Sequence, residues 1–222
     1  MPGEKKRISK SELREDQFVE WIMAAADYVR ERLQLFIAGA VGIVALVVVI
    51  QLIIQSREQA RVDAAVKLGK VLREEEEGRP QEAMRLSEEL IDEYEGTPAT
   101  AQGVVFLANR YFTLGRYADA QRLYQTYLND YGKLDILVFA AWNGLAACFE
   151  AQGHLLKAAS KYQEYVTVHG GTTQAALSLL EAARCYGLAG DIDNQKQVLE
   201  RVIKEYGDSP AATRAREEKN ML

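Results

Sequence analysis

The chain has 222 residues, a formal net charge of −5 and 48% hydrophobic residues. The acidic balance argues against nucleic acid as the main partner, because a nucleic-acid-binding surface needs an excess of lysine and arginine. Two cysteines and two histidines are too few for a disulfide framework or a histidine-rich metal site, and the nucleotide-binding and hydrolase motifs are missing. We therefore expect no cofactor, no metal and no enzymatic activity.

An N-terminal arm, residues 1–34, precedes the most apolar stretch of the chain. Ser9 and Glu12 have the spacing of a capping box, and apolar residues recur at helical spacing after them, which predicts an amphipathic helix. We expect Trp21 and Tyr28 to lie at the membrane interface, where amphipathic aromatic rings concentrate. The apolar face of this helix lies either on the bilayer or against a partner's helix, and the sequence does not separate the two.

Residues 35–55 form the predicted transmembrane helix. The stretch Leu35–Ile54 contains no charged residue and corresponds to about 30 Å of helix, the thickness of a bilayer core. A buried core helix seldom runs this long without a polar face. No small-residue cleavage site follows, so the span is expected to remain as an uncleaved anchor. Basic residues flank both ends, three before and five after the span, so charge alone leaves the orientation open.

A repeat occupies the rest of the chain, residues 56–222. Gly78, Gly115, Gly153 and Gly190 are separated by 37, 38 and 37 residues, and alanines and aromatic residues recur at fixed distances from them. Each copy is expected to be a pair of antiparallel helices, with the first helix ending at the glycine because glycine adopts the left-handed conformation cheaply. One hairpin cannot bury its apolar face alone, so the copies are expected to stack into a solenoid.

The clearest copy resembles the tetratricopeptide repeat, whose spacing is matched by Ala108, Tyr111, Gly115, Tyr117, Ala120 and Tyr124. The resemblance implies an α-solenoid of about 3.5–4 hairpin repeats with a C-terminal capping helix. Together with the N-terminal amphipathic helix and the single transmembrane helix, it gives a predicted all-α protein. The predicted repeats cover residues 60–97, 98–134, 135–172 and 173–209, and the cap covers 210–219. The first copy departs most from the pattern. Because no helix breaker follows the span, we expect the span to continue into the first helix of this copy.

In this family the first helices of the repeats line a concave groove, and the positions transfer by their offset from each glycine. The resemblance thus implies a candidate protein-binding groove made of Gln102, Val105, Asn109, Phe112, Asn143, Glu150, Leu177, Leu180 and Arg184. This mixture suits an apolar or extended polypeptide better than a phosphate or an acidic tail, which would need several convergent cations. The alternative is that the apolar members pack against the next helix or the cap.

Cys148 and Cys185 occupy the same position in adjacent copies. Such positions lie about 10 Å apart, one helix-packing distance, whereas a disulfide needs Cα atoms within about 7 Å. We therefore predict two free, buried thiols. Trp142 and Leu145 fall at core positions of the repeat, and a structural role is expected for His169.

The order of the parts is similar to that of the bacterial ancillary Sec-translocon subunit family. The resemblance implies a single-pass protein of the bacterial inner membrane, with a cytoplasmic N-terminus and a periplasmic repeat domain that links the translocon to chaperones or clients. The leading hypothesis is a membrane-tethered adaptor that binds other proteins and contacts the lipid bilayer through one span. The alternative is a structural accessory subunit of a larger membrane complex, whose span packs on partner helices.

Overall fold

A computed structural model of the chain describes residues 19–25, 27–28, 30, 32–132 and 134–222. The contacts divide the chain into two units, Met1–Glu58 and Gln59–Leu222. All regular secondary structure in the described residues is helical, which confirms the predicted all-α class. The predicted capping box at Ser9 and Glu12 lies outside the described residues.

The helices define the element labels used below. In chain order they are α1 Leu33–Glu76, α2 Pro80–Glu93, α3 Pro98–Thr113, α4 Tyr117–Thr126, α5 Asp135–Ala151, α6 Leu155–His169, α7 Thr173–Leu188, α8 Ile192–Glu205 and α9 Pro210–Asn220. In the arm, residues 19–25, 27–28 and 30 are also helical. A π-helical segment, Tyr127–Tyr131, follows α4, and the N–H of Gly132 donates to the carbonyl of Tyr127 at 2.9 Å. This bond reaches five residues back instead of the four of an α-helix.

The described part of the first unit is dominated by apolar helix. From Ile37 onward, α1 contains a window that is long and apolar enough to cross a membrane by length and composition, and none of that window is buried. Exposed apolar surface is costly in water at about 25 cal/mol per Å². The helix continues without interruption to Glu76, so the expected absence of a break after the span is confirmed.

Left-handed glycines separate the two helices of each hairpin. Gly78, Gly115, Gly153 and Gly190 have φ angles of 74°, 71°, 76° and 77°. These angles confirm the prediction that glycine ends the first helix of each copy, because other residues adopt this conformation only at a cost of about 1–2 kcal/mol.

Hydroxyl caps begin three helices of the second unit, α3, α7 and α9, whereas α5 follows Leu134 without a side-chain cap. Thr97 accepts a hydrogen bond from the N–H of Thr100 at the start of α3, and Thr172 accepts one from Ala175 at the start of α7. Ser209 caps α9 in the same way. Each cap satisfies a backbone donor that the helix leaves unpaired, which defines where the chain turns from one hairpin into the next.

Within the second unit, the first helices of the hairpins are closer together than the second helices. Helix α3 contacts α5, α5 contacts α7, and α7 contacts α9. In the described residues no comparable contact joins α4 with α6 or α6 with α8. The first helices therefore line the inner, concave side of the stack. Fully buried alanines on the first and second helices allow neighbouring helices to pack closely, among them Ala108, Ala120, Ala146, Ala158 and Ala183.

Helix α9 closes the last hairpin. Its residues Ala211, Ala212 and Ala215 are buried in the same hydrophobic core as α7 and α8. A terminal helix with one apolar and one polar face is what a repeat array requires at its end. The predicted C-terminal capping helix is therefore present.

Candidate functional site

Most of the predicted groove residues are accessible to solvent, with different degrees of exposure. Gln102 and Asn109 are exposed, and the side chain of Leu177 is 45% exposed. The remaining accessible members are half-buried, namely Phe112, Asn143, Glu150 and Arg184. An apolar and amide-bearing surface therefore runs along α3, α5 and α7.

Two predicted groove residues belong instead to the core. Val105 is 4% exposed and Leu180 is 3% exposed, and both lie in the main hydrophobic cluster. At these positions the first helices of adjacent hairpins pack against their neighbours, so the side chains face protein instead of solvent. Val105 and Leu180 therefore agree with the alternative interpretation, in which apolar residues of the candidate groove pack inside the stack.

Hydrogen bonds and ring contacts hold two groove residues of α3 in place. The hydroxyl of Tyr124 donates to Oδ1 of Asn109 at 2.6 Å. The ring of Phe112 meets that of Tyr117 edge to face, with centroids 5.5 Å apart. Side chains fixed in this way lose less conformational freedom when a ligand binds, which favours binding.

The one basic residue of the predicted groove, Arg184, is fully engaged by carboxylates. Its guanidinium donates to both oxygens of Glu150 at 2.7 Å each, and its Nε donates to Glu181 at 2.7 Å. The hydrogen bonds from Arg184 hold the pKa of Glu150 below its ordinary value, against the opposing effect of burial. Two carboxylates on one guanidinium leave this cluster with a net negative charge. An acidic ligand would therefore find no available cation here.

A similar ion pair joins the first two hairpins. Glu75 of α1 binds Arg110 of α3, while Glu74 and Glu77 bind Arg79. Acidic residues are unfavourable at a helix C-terminus, and the arginines offset this effect.

Cys148 and Cys185 are free and buried, as predicted. Burial raises the pKa of each thiol to about 12. Both thiols are therefore protonated at neutral pH, and a protonated thiol is a poor nucleophile and a poor metal ligand. In the part of the chain that the structure describes, no group of three histidine, cysteine or acidic residues is placed to hold a metal ion.

The remaining predicted residues occupy the following places. Leu145 is buried and Trp142 is half-buried against the main hydrophobic cluster, in agreement with their predicted core positions. His169 stacks on the ring of Tyr165 with centroids 4.9 Å apart. Trp21 is 69% exposed on the arm. Its role at the membrane interface, like that of Tyr28, stays a prediction.

Comparison with protein families matches residues 177–209 to the model described as the tetratricopeptide repeat. This segment covers most of α7 and all of α8. It is the copy in which Gln195 and Leu199 stand where the repeat pattern expects an alanine and an aromatic residue. The comparison with curated proteins found no match.

Comparison with solved structures shows the same architecture. Two crystal structures of nearly identical TPR-like repeats from a candidate kinesin light chain of Podosopora anserina, one of them a point variant, match with a TM-score of 0.54. Each is 18% identical in sequence, and the match covers 72% of this chain and 84% of that chain. At this level of identity the likeness demonstrates the fold, a solenoid of helical hairpins.

Proposed function

Because the chain is a tetratricopeptide-repeat protein, we propose that it is a membrane-tethered adaptor whose repeat domain binds other polypeptides. The proposal includes no catalysis, cofactor or nucleic acid. The partner class follows from the surface that the repeats present, since a concave row of first helices offers an extended segment many contacts along its length.

The observation that carries the proposal is the composition of the concave face. Gln102, Asn109 and Asn143 supply amide groups that can pair with a peptide backbone, and Leu177 and Phe112 supply apolar contact. The charge of Arg184 is already neutralised by Glu150. This surface favours an extended, largely apolar segment over an acidic tail.

The apolar helix supplies the proposed tether. A domain confined beside a membrane has a raised effective concentration towards clients at that membrane, without any new contact. The order of an arm, one span and a small repeat domain resembles the ancillary Sec-translocon subunits. We extend the proposal on that basis to a bacterial inner-membrane protein with its repeats in the periplasm, near translocon and chaperones.

Site-specific photocrosslinking in native membranes tests the adaptor proposal. A photoreactive amino acid replaces Gln102 or Leu177 on the concave face, and Lys157 on α6 serves as the matched exposed control. We expect polypeptide adducts, identified by mass spectrometry, from the two concave positions and few from Lys157. Equal labelling from all three positions would contradict a concave binding surface.

The second candidate function is that of a structural accessory subunit. Gly39 and Gly42 favour it, because they leave the helix surface without side chains there. Outside the surrounding backbone of the helix, no other atom lies within 4 Å of the place that a β-carbon would take at either glycine. Small residues allow a partner helix to approach closely within a membrane. A photoreactive residue at Val41 or Ile43 should then crosslink to one stoichiometric partner, and detergent-extracted protein should migrate with a single complex. An adaptor should instead show several partners, captured through α3 and α7.

A further inference from the structure

The apolar part of α1 contains one polar side chain, that of Gln51. Every other residue from 35 to 54 is apolar or glycine, and a second amide, Gln55, follows four residues after Gln51. Both side chains are exposed, and among the described residues neither amide has a hydrogen-bond partner. In the proposed membrane span this position is unfavourable for a lone amide, because the bilayer core supplies no water to pair with it.

The direction of the Gln51 side chain keeps its amide away from the nearer membrane boundary. Gln51 lies three residues before Ile54, the end of the apolar stretch, and the Cα–Cβ bonds of an α-helix tilt towards its N-terminus. The side chain therefore extends towards the middle of the stretch instead of towards Ile54. Amides inside a membrane hydrogen-bond to a neighbouring helix, so Gln51 indicates a contact face.

Apolar residues extend this face along the helix. Val44, Val48, Gln51 and Gln55 are spaced by four, three and four residues, which is the 3.5-residue period of a two-stranded coiled coil. Val44 is 62% exposed and Val48 is 51% exposed, so this face is uncovered in the described residues. A helix holds valine side chains in one rotamer, so they lose little freedom when a second helix packs on them. We call these four residues the glutamine seam.

The chemistry of the glutamine seam selects a second copy of the chain as its partner. Copies that enter one membrane by the same route point in the same direction, so their α1 helices are parallel. A twofold axis between parallel helices places each residue opposite its own counterpart. A carboxamide carries both a donor and an acceptor, so two Gln51 side chains satisfy each other. A span of another protein would need a polar side chain of its own at the same depth.

We propose that two copies of the chain associate in parallel through the glutamine seam, with their Gln51 amides hydrogen-bonded to each other inside the membrane. The inference rests on the proposed function, since it requires the membrane tether. It goes beyond that function because it assigns two repeat domains to each adaptor. Two concave faces held at one place bind a client with two suitable segments more tightly than one face does.

The glycine-bearing face of α1 stays free in this arrangement. Gly42 lies nine residues before Gln51. Nine steps of about 100° place it on the opposite side of the helix, and the space beside it is open. Pairing through the glutamine seam and packing of a partner protein on the glycine face are therefore independent, and they can be tested at separate positions.

Cysteine crosslinking of the full chain in native membranes tests the glutamine seam. Val48→Cys lies on the seam. Val49→Cys is the matched control, because it replaces the same residue type one position further on, about 100° around the helix. Under mild oxidation we expect Val48→Cys to form a disulfide-linked dimer at least fivefold faster than Val49→Cys. The wild-type chain, whose two cysteines are buried, gives the background. Equal rates at the two positions, or no dimer from Val48→Cys, would overturn the proposal.

Substitutions of Gln51 in the Val48→Cys chain test the role of the amide. Gln51→Leu removes the amide and keeps an apolar side chain of similar size, so the span still inserts. We expect dimer formation to slow at least fivefold. Gln51→Asn, which retains an amide, should restore most of the rate. An unchanged rate in Gln51→Leu would show that the amides do not hold the copies together, and the proposal would be wrong.

A photoreactive residue at Val44 identifies the partner of the glutamine seam by mass spectrometry. We expect an adduct of two copies of this chain. An adduct with a different protein in place of the second copy would overturn the proposal.

Extraction with alkaline carbonate separates failure of this inference from failure of the proposed function. If the chain stays in the membrane pellet but Val48→Cys gives no dimer, the tether stands and the seam assignment is wrong. If carbonate releases the chain, the tether fails and the seam fails with it. If the dimer forms but no crosslinks arise from Gln102 and Leu177, the seam stands and the adaptor function fails. We expect the chain in the pellet and the dimer from Val48→Cys.

Discussion

Two junctions of the repeat domain are built from different interactions. At junction 2–3, between the α3–α4 and α5–α6 hairpins, Gly144 lies so close to the ring of Tyr124 that a β-carbon would overlap it. Among the residues that the structure describes, no side-chain hydrogen bond or ion pair crosses this junction. At junction 3–4, between the α5–α6 and α7–α8 hairpins, Arg184 binds Glu150 through two hydrogen bonds of 2.7 Å.

The difference shows that hairpins with the same repeat pattern can be joined either by close apolar packing alone or by polar contacts. A close-packed apolar junction tolerates little change of volume and should be insensitive to pH. An ion-paired junction tolerates changes of shape better, but its stability depends on protonation and on keeping both partners. Because neighbouring repeats couple through these junctions, their chemistry also sets how cooperatively the domain unfolds.

The largest expected effect is that of Gly144→Ala at junction 2–3. The new methyl group would displace the ring of Tyr124 and strain its hydrogen bond to Asn109. Overpacking of this kind costs about 1–3 kcal/mol, and we expect a value near the upper end because the obstacle is a buried ring. Urea unfolding of the full chain in detergent, followed by circular dichroism, measures the change in the free energy of unfolding.

Gly69→Ala is the matched control for this prediction. Gly69 also lies inside a helix, α1, but a β-carbon there would meet nothing within 4 Å. Alanine is more favourable than glycine in a helix by about 0.5–1 kcal/mol, so this variant should gain stability. If Gly144→Ala were also neutral or stabilising, the close packing described at junction 2–3 would be wrong.

Loss of Arg184 should have the next largest effect, at junction 3–4. Arg184→Met keeps much of the apolar stem but leaves Glu150 and Glu181 without their donor. Leaving partly buried acceptors unpaired costs about 1–3 kcal/mol. Arg214→Met is the control, since the Arg214–Glu218 pair lies on one exposed helix face and such pairs contribute about 0–1 kcal/mol. Equal effects of the two variants would show that junction 3–4 does not depend on its ion pair.

Acidification should change the stability contributed by junction 3–4 but not that contributed by junction 2–3. The pKa of Glu150 in the folded protein lies below its ordinary value of 4.5. Its contribution to stability is therefore complete above pH 4.5 and is lost as the pH falls through the folded value. The stability gap between wild type and Glu150→Gln should be widest at pH 7 and narrow in acid. The gap between wild type and Gly144→Ala should stay constant over the same range, and a parallel narrowing would contradict the comparison.

The fold could be predicted from sequence because its signals are local and repeated. Gly78, Gly115, Gly153 and Gly190 mark the ends of helices through their backbone conformation, which depends little on the rest of the chain. A period of 37 or 38 residues then implies stacking. The exposure of individual groove residues could not be predicted equally well. Val105 and Leu180 stand ten residues before their glycines, as the half-buried Asn143 does, but both apolar side chains are buried in the main hydrophobic cluster.

The ion pairs between hairpins could be predicted from the spacing of the charged residues in the sequence, although not from the composition alone. Glu75 and Arg110 are 35 residues apart, and Glu150 and Arg184 are 34 apart, close to one repeat period. Opposite charges at this spacing in first helices predict pairs between adjacent hairpins. The π-helical segment Tyr127–Tyr131, in contrast, depends on an i to i+5 bond that leaves no periodic trace in the sequence.

The smallest effect is expected for Tyr186→Phe, which tests a neutral polar contact of junction 3–4. Nε2 of Gln163 donates to the hydroxyl of Tyr186 at 2.9 Å, and a neutral hydrogen bond of this kind contributes about 0.5–1.5 kcal/mol. Tyr117→Phe is the control, because the ring of Tyr117 meets Phe112 edge to face and phenylalanine retains that contact.

A double-mutant cycle of Gln163→Leu with Tyr186→Phe should return a coupling of about 1 kcal/mol. Because this bond joins neutral groups, the coupling should persist at pH 4, where the contribution of Glu150 declines. A coupling that vanished in acid would mean that the bond depends on the Arg184 pair, and junction 3–4 would then be a single polar network.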